Sequence, residues 1–115
     1  TPTTNDIDLL KIGRHFRFDK NTKLVVGGNK DENEMATSLA LPNDILLEAK
    51  DHVGPTTLLR GDGMGKHVEF SAKITLRYSD APKNETGIVI IHKNEDVTEI
   101  SVNCAEETSY TKFRI

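Results

Sequence analysis

The chain has 115 residues, of which 36% are hydrophobic and 29% are charged. This composition is typical of one folded domain and excludes a disordered chain. A formal net charge of −3 argues against nucleic-acid binding by overall charge alone. One cysteine excludes an internal disulfide, and no signal peptide or membrane-length apolar stretch occurs, so we expect a cytoplasmic protein. Because the sequence begins without Met, we expect a fragment of a larger protein.

The charges are unevenly distributed along the chain. Residues 11–23 contain five basic residues and one acidic residue, a local balance of +5 − 1 = +4. Residues 80–107 contain two basic and seven acidic residues, a balance of +2 − 7 = −5. A basic N-terminal patch and an acidic C-terminal half can orient an anionic partner, although solvated surface with no partner explains the same charges.

The N-terminal residues predict a tail followed by one domain. We expect residues 1–8 to form a linker or tail and residues 9–115 to form a single domain. Asn5 or Asp6 can cap a short helical turn. Gly13 is placed to end that turn, because glycine tolerates left-handed backbone geometry.

A β-hairpin and a helix are predicted next. His15–Phe18 alternates apolar and polar residues, and Lys23–Gly28 is a second apolar run after an Asp-Lys-Asn turn, as in a β-hairpin. Asn29 is a good helix N-cap with Glu32 three residues later, and Pro42 stops the helix.

Most of the remaining chain predicts β-structure. The longest alternation runs over His67–Tyr78 and predicts a strand with one buried and one polar face. The loop before it, Arg60–Lys66, is rich in glycine and predicted to be flexible. Four further strands are predicted, over Ile45–Ala49, Thr56–Leu59, Ile88–Ile91 and Val97–Val102. The continuous run Ile88–Ile91 predicts a strand covered on both faces. Tyr110 and Phe113 are expected to dock the C-terminal tail. The predicted class is α+β, with a mostly antiparallel sheet of about seven strands and one or two short helices.

Three patterns suggest catalysis or metal binding, and each has a structural explanation. The segment Arg60–Lys66 (RGDGMGK) lacks the first Gly and the final Ser or Thr of a phosphate-binding loop. The four His and Cys104 show neither i, i+4 spacing nor a C-x-x-C pair, so no metal site is predicted. Asp51 and His52 are adjacent, but neighbouring side chains of an extended chain point in opposite directions. No catalytic residue is therefore assigned.

The basic face of the hairpin is the strongest candidate for a binding surface. His15 and Arg17 share one strand face, flanked by Lys11, Arg14 and Lys23. Arginine can make forked contacts to phosphate, and histidine can stack on a base. The alternatives are an exposed face with no partner and a half-buried His15 bonded to a backbone carbonyl.

The order of motifs in the chain resembles that of a known family. Gly13–Phe18 (GRHFRF), Lys23–Asn29 (KLVVGGN) and Glu32–Glu34 (ENE) are similar to the pattern GRHFR…kLiVGRN…EN of the NFACT-R-type RNA-binding domain. Leu46–Pro55 (LLEAKDHVGP) resembles that family's strand and D…GP turn, and residues 68–91 resemble a later region of its longer relatives. The version it is most similar to is the one appended to ThiI- or MnmA-like tRNA thiouridylase proteins.

This resemblance implies a non-catalytic, bacterial, RNA-binding accessory domain of a tRNA-thiolation-type enzyme. Its implied partners are RNA, expected to be tRNA, and the parent protein's catalytic domain, where ATP and sulfur transfer would belong. No cofactor, metal or membrane contact is implied for the domain itself. The family's usual Arg is replaced by Gly28, which removes one phosphate contact. Together with the hairpin, the resemblance gives ten RNA-binding candidates: Arg14, His15, Arg17, Lys23, Asn29, Asn33, Glu34, Lys50, Asp51 and His52.

Two other classes of function remain as alternatives. One is a docking domain for the catalytic domain or for a sulfur-donor protein, which the acidic C-terminal half favours. The other is a small hydrolase or metal enzyme that uses His15, Asp51 and His52.

Overall fold

A six-stranded antiparallel sheet forms the centre of the computed structural model, which describes residues 3–62 and 64–115. The strands are β1 Arg14–Asp19, β2 Thr22–Val26, β3 Ile45–Ala49, β4 Thr57–Gly61, β5 Gly87–Lys93 and β6 Asp96–Val102. The helices are α1 Thr4–Leu9, α2 Lys30–Leu39, α3 Val68–Arg77 and α4 Glu107–Tyr110, with 3-10 turns at Met64–His67 and Thr111–Phe113. The order across the sheet is β1-β2-β4-β3-β5-β6. The predicted α+β class with a mostly antiparallel sheet is confirmed.

Helices pack on both faces of this sheet. On one face, α3 and the C-terminal turns cover the main core, which contains Phe16, Leu24, Leu47 and Leu76. On the other face, α1 and α2 cover a smaller core of Leu9, Ile12, Val25, Ala36 and Leu58. Strand residues alternate between these two cores, because successive side chains of a strand point to opposite faces. The β1–β2 hairpin therefore has a helix layer on each side.

The segment predicted to be the longest strand is the helix α3, so that prediction is wrong. Its buried side chains include the polar residues Ser71 and Thr75 beside Ala72 and Leu76, which gives the i, i+4 spacing of a helix stripe. The Thr75 hydroxyl donates to the Ser71 carbonyl at 2.8 Å, so this polar group is buried with a partner. The strand prediction placed Ser71 and Thr75 on the polar face, and the helical spacing of the buried residues was therefore missed. The three consecutive strands predicted after residue 66 are consequently a helix followed by the β5–β6 hairpin.

Strand β5 is covered on one face only, so the prediction from the apolar run Ile88–Ile91 of a strand covered on both faces is wrong. Val89 and Ile91 lie in the core, whereas Ile88 is 39% exposed. On β6, the side chain of Val97 projects from the same face as Ile88 and is 61% exposed. The helices α1 and α2 pack over Val25 of β2 and Leu58 of β4, whereas Ile88 and Val97 are left exposed. We call this uncovered part of the sheet the open face.

The helical turn predicted near the N-terminus is confirmed as α1, although its cap is Thr3. The Thr3 hydroxyl accepts from the Asp6 N–H, and the Asp6 carboxylate accepts from the Thr3 N–H, which is a reciprocal capping box. Leu9 is fully buried beneath the helix, and Asn5 donates to the Leu39 carbonyl at 2.8 Å. The helix crosses the proposed boundary between residues 8 and 9, which stays a prediction.

The β1–β2 hairpin and the helix α2 are confirmed, with Asn29 as the N-cap of α2. The segment 60–66 is less of a loop than expected. Arg60 belongs to β4, and residues 64–66 lie in a 3-10 turn, while Gly63 lies outside the described residues.

Among the described residues, no helix has the length and apolar character needed to cross a membrane.

Docking of the C-terminal tail is confirmed. Tyr110 is buried against Phe16, with ring centroids 5.8 Å apart. Phe113 packs edge-on against Phe18, with ring centroids 5.6 Å apart. The last residues also cover the β1 edge, since the Ile115 N–H donates to the His15 carbonyl.

Candidate nucleic-acid interface

Three basic residues form a row across neighbouring strands of the sheet. Arg17 of β1 lies opposite Lys23 of β2, and Lys23 lies opposite Arg60 of β4. Directly opposed residues project from the same face, so the three cations share one surface beside α1. They line a cleft of about 570 Å³ together with Asp6, Leu10, Lys20 and Asn21. We call this site the cationic cleft.

Carboxylates neutralise part of the cationic cleft. Arg60 donates to buried Asp44 at 2.6 to 3.1 Å and to Asp6 at 2.8 Å, which keeps the pKa of Arg60 above its usual value. Lys23 lies 3.9 Å from Asp6, and burial lowers the pKa of Lys23. Through these contacts, the two cations connect α1, which carries Asp6, to the sheet, and Arg60 also binds Asp44, the residue before β3.

The other two cations of the cleft, Arg17 and Lys20, are exposed at the hairpin turn. The Arg17 guanidinium donates to the Lys20 carbonyl at 3.3 Å, which orients it along the turn. Within the described part of the chain, neither side chain forms an ion pair. They are therefore the cations of this cleft that can meet an external anion.

A second cleft lies at the opposite end of the hairpin, where β1 begins. It has a volume of about 490 Å³, and its wall contains the polar residues Arg14, Asn29, Lys30, Asn33 and Asp80. The remaining wall is formed by Gly27, Gly28, Tyr78 and the turn Val53–Pro55. The guanidinium of Arg14 lies over the ring of Tyr78, 5.0 Å from its centroid. We call this site the mixed cleft.

Gly27 and Gly28 of the mixed cleft do not present free amides to a ligand. Glu32 accepts from the Gly13 N–H at 3.0 Å and from the Gly28 N–H at 2.8 Å, and these bonds lower the pKa of Glu32. The Gly27 N–H donates to the Thr56 carbonyl. The loop Gly27–Gly28 is thus held by hydrogen bonds, and its amides are not available to a ligand.

Asn33 has a structural role at the same place. Its Oδ1 accepts from the Thr56 N–H at 2.9 Å, which ties α2 to the start of β4. A Cβ at position 27 would lie 2.2 Å from that oxygen, so only glycine fits there. In this chain, Gly27 and Asn33 of the VGGN…EN pattern therefore pack against each other.

His15 is half-buried and bonded to a backbone carbonyl, which is one of the alternatives given for it above. Its half-buried ring donates through Nε2–H to the Ile12 carbonyl at 2.8 Å. Burial is the main reason that its pKa is lowered, so the neutral ring is favoured. His15 supports the start of β1 and lines neither cleft.

The ten predicted RNA-binding residues fall into three groups. Arg17 and Lys23 line the cationic cleft, and Arg14, Asn29 and Asn33 line the mixed cleft. The remaining five line neither cleft: His15, Glu34, Lys50, Asp51 and His52. Lys50 pairs with Glu99 at 3.0 Å, and Asp51 adopts a positive φ of 63° in the turn that carries Val53. All ten assignments stay predictions.

Sequence reasoning missed several residues that line the clefts. Arg60 joins the cationic row through strand register, which no local pattern predicts. Tyr78 and Asp80 reach the mixed cleft because α3 ends beside the turn after β3, where the Asp80 N–H donates to the Val53 carbonyl. Lys20 and Lys30 were visible as basic residues beside the motifs. In the described ranges, no three His, Cys, Asp or Glu side chains lie close enough to hold a metal ion.

The fold and the two clefts define a small α+β module with a basic hairpin at one edge of its sheet. The sequence profile described as "NFACT protein RNA binding domain" matches residues 13–114. The chain therefore belongs to this RNA-binding domain family. No curated protein matches the chain.

A solved structure has the same fold. It is described as the C-terminal part of the fibronectin/fibrinogen-binding protein from Streptococcus suis, with a TM-score of 0.73 and 20% sequence identity. The match covers 90% of this chain and 50% of that one, so the present chain spans half the length of that relative. At this identity, the likeness concerns the fold alone.

Proposed function

We propose that this domain is a non-catalytic module that binds tRNA and presents it to a catalytic domain of its parent protein. The cationic cleft is the observation that carries the proposal. Two of its four cations, Arg17 and Lys20, are exposed and form no ion pair within the described residues, in a chain whose net charge is −3. Contacts to phosphates supply most of the affinity of such proteins and fix the register of the nucleic acid.

The order of strands in the sheet supports binding of the RNA at the β1–β2 hairpin. The basic hairpin β1–β2 forms one edge, and β5–β6 forms the other edge. Glu95, Asp96 and Glu99 lie in or beside β6, at the far side from the cationic cleft. Repulsion at the acidic edge and attraction at the hairpin would turn a polyanion towards β1 and β2.

The choice of tRNA and of a thiolation enzyme rests on the resemblance of the motifs to those of thiouridylase accessory domains. In that setting, the module would position the RNA by its shape and phosphates. The reaction, with its ATP and sulfur donor, would take place in the other domain.

A titration with bulk tRNA at about 50 and 200 mM salt tests the proposal. We expect affinity to fall steeply with salt. The double variant Arg17→Ala/Lys20→Ala should bind about tenfold or more weakly at low salt, and its log–log salt slope should be smaller by about 2.

The matched control is Lys73→Ala/Lys93→Ala, which removes the same charge from α3 and β5. This control should bind nearly as the unmodified domain does. Equal losses in the two double variants would show that only net charge matters. Binding that is weak and insensitive to salt would contradict the proposal.

A docking role is the second candidate, because the open face exposes apolar side chains. Ile88 is 39% exposed and Val97 is 61% exposed, with the carboxylates of Glu48 and Glu99 on the same side. The test is co-purification with the parent's catalytic domain after RNase treatment. Retention that is lost in Val97→Glu would favour docking, and equal retention of both proteins would rule out this face.

A further inference from the structure

The mixed cleft lacks the charge pattern of a simple phosphate site. Arg14 and Lys30 supply positive charge, and the side-chain amides of Asn29 and Asn33 supply further donors. The Oδ1 atoms of both asparagines already accept backbone N–H groups, at 2.8 Å for Asn29 and 2.9 Å for Asn33. Their NH₂ groups remain as the donor ends. This side of the cleft is therefore rich in hydrogen-bond donors.

Asp80 places a carboxylate in the same cleft. Its N–H donates to the Val53 carbonyl at 2.7 Å, which fixes the residue beside the turn Val53–Pro55. The side chain is exposed and has no hydrogen bond or ion pair in the described part of the chain. A carboxylate repels phosphate and accepts N–H donors, so the cleft suits a ligand that offers both donors and acceptors.

Apolar and planar groups complete the lining. Val53 is 78% exposed at the rim, and the ring of Tyr78 lies beneath the guanidinium of Arg14. Aromatic rings and guanidinium planes are the surfaces on which RNA-binding domains stack unpaired bases. The residues that line the cleft are thus suited to bind a flat heterocycle with polar edges.

We propose that the mixed cleft binds the guanine of an unpaired nucleotide. Asp80 would accept from the adjacent N1–H and N2–H groups of the base, and Arg14 with the asparagine amides would donate to O6 and N7. Guanine alone among the four RNA bases has two adjacent ring-edge donors for a carboxylate beside acceptors for arginine. The edge used is occupied in a duplex, so the nucleotide must be unpaired. This inference rests on the proposed function, because the base is taken to come from bound RNA.

One experiment uses hairpin RNAs with an identical stem and a single dangling 3′ nucleotide, G, A, C or U. The G-tailed RNA should bind about fivefold or more tightly than the others. Asp80→Asn should remove this preference, and the ratio among tails is the readout, because loss of a negative charge raises affinity for every RNA. Asp96→Asn, which removes the same charge from the first residue of β6, should keep the preference.

A second measurement separates this inference from the proposed function. Guanosine monophosphate is titrated while the backbone amide signals of Lys30, Val53 and Gly54 are followed by NMR, with uridine monophosphate as the control. If guanosine monophosphate shifts these signals but no RNA binds, the guanine site stands with a free nucleotide as its ligand and the proposed function fails. Shifts by guanosine monophosphate with equal binding of all four tails would likewise give a free nucleotide as the ligand.

Equal binding of the four tails, with no shift by guanosine monophosphate, would overturn the inference. If the hairpin RNAs still bound in a salt-dependent way that required Arg17 and Lys20, the proposed function would survive that result. A preference for another base, or a guanine preference unchanged by Asp80→Asn, would also overturn it.

Discussion

The two clefts at the ends of the β1–β2 hairpin use positive charge differently. In the cationic cleft, Arg60 and Lys23 are engaged by carboxylates, and exposed Arg17 and Lys20 carry the charge available to a ligand. In the mixed cleft, Arg14 lies over the Tyr78 ring, and a carboxylate stands in the same wall. Counting basic residues therefore does not distinguish a structural cation from a binding one. Their partners do.

The largest expected effect comes from breaking the structural pair of the cationic cleft. Asp44 is 6% exposed and holds Arg60 by three contacts of 2.6 to 3.1 Å. Asp44→Ala should lower the free energy of unfolding by about 3 kcal/mol, because it leaves a largely buried guanidinium without its main partner. Urea unfolding measures the change. The exposed pair Asp8–Lys11 is the control, and Asp8→Ala should cost less than about 0.5 kcal/mol.

A loss below about 1 kcal/mol in Asp44→Ala would mean that Asp6 alone satisfies Arg60. The same variant sharpens the comparison of the clefts. If it folds, Arg60 becomes a cation that can meet RNA, and the salt slope of binding should increase rather than decrease.

The mixed cleft depends on Glu32, which joins the start of β1 to the loop before α2. Glu32→Ala removes two bonds from backbone N–H groups, to Gly13 and Gly28. We expect a loss of about 1 kcal/mol, smaller than for a buried pair because this carboxylate is partly solvated. The neighbouring Glu34 is exposed on α2, so Glu34→Ala should leave stability nearly unchanged. Equal effects of the two substitutions would show that the loop does not need Glu32.

Acid should loosen α1 from the rim of the cationic cleft. Bonds from Thr3, followed by Arg60, lower the pKa of Asp6 to about 2, from 3.8. A carboxyl whose folded-state pKa is depressed stabilises the fold above its unfolded pKa, and this stability is lost as the pH falls from about 4 to about 2. Urea unfolding over this range should show a shallower pH dependence for Asp6→Asn. An unchanged slope would assign the acid sensitivity to other carboxylates, such as Asp19.

Much of the fold follows from local sequence signals. The hairpin is predicted by the alternation of Phe16 and Phe18 before a polar turn, and α2 by the capping residue Asn29. The helix α3 was not predictable in the same way, because its buried stripe includes the polar residues Ser71 and Thr75, and only the Thr75 hydroxyl has a partner, the Ser71 carbonyl of the same helix. The alternation of the apolar residues then imitated a strand.

The candidate site was predictable only where its residues are close in the sequence. Arg14, Arg17 and Lys23 were found because they crowd into one hairpin. The pairing of Arg60 with Asp44 depends on how β3 pairs with β4, and the position of Arg60 beside Lys23 depends on how β2 pairs with β4. Since α3 was predicted as a strand, nothing placed the end of that segment, with Asp80, beside the turn after β3.

The smallest expected effect comes from making the mixed cleft resemble the cationic one. Gly28→Arg restores the basic residue that the family pattern has at this position. A Cβ there would meet, at 2.7 Å, the Glu32 oxygen that accepts the Gly28 N–H, so the Glu32 side chain must shift slightly, and it would meet Arg14 Nη1 at 3.7 Å. We expect tRNA affinity to rise about threefold and the salt slope to increase by up to about 1, because one phosphate contact is added. Gly65→Arg is the matched control, since a Cβ at position 65 meets nothing within 4 Å. A larger gain in Gly65→Arg than in Gly28→Arg would place the RNA away from the mixed cleft, whereas a gain confined to Gly28→Arg would extend the phosphate path along the whole hairpin.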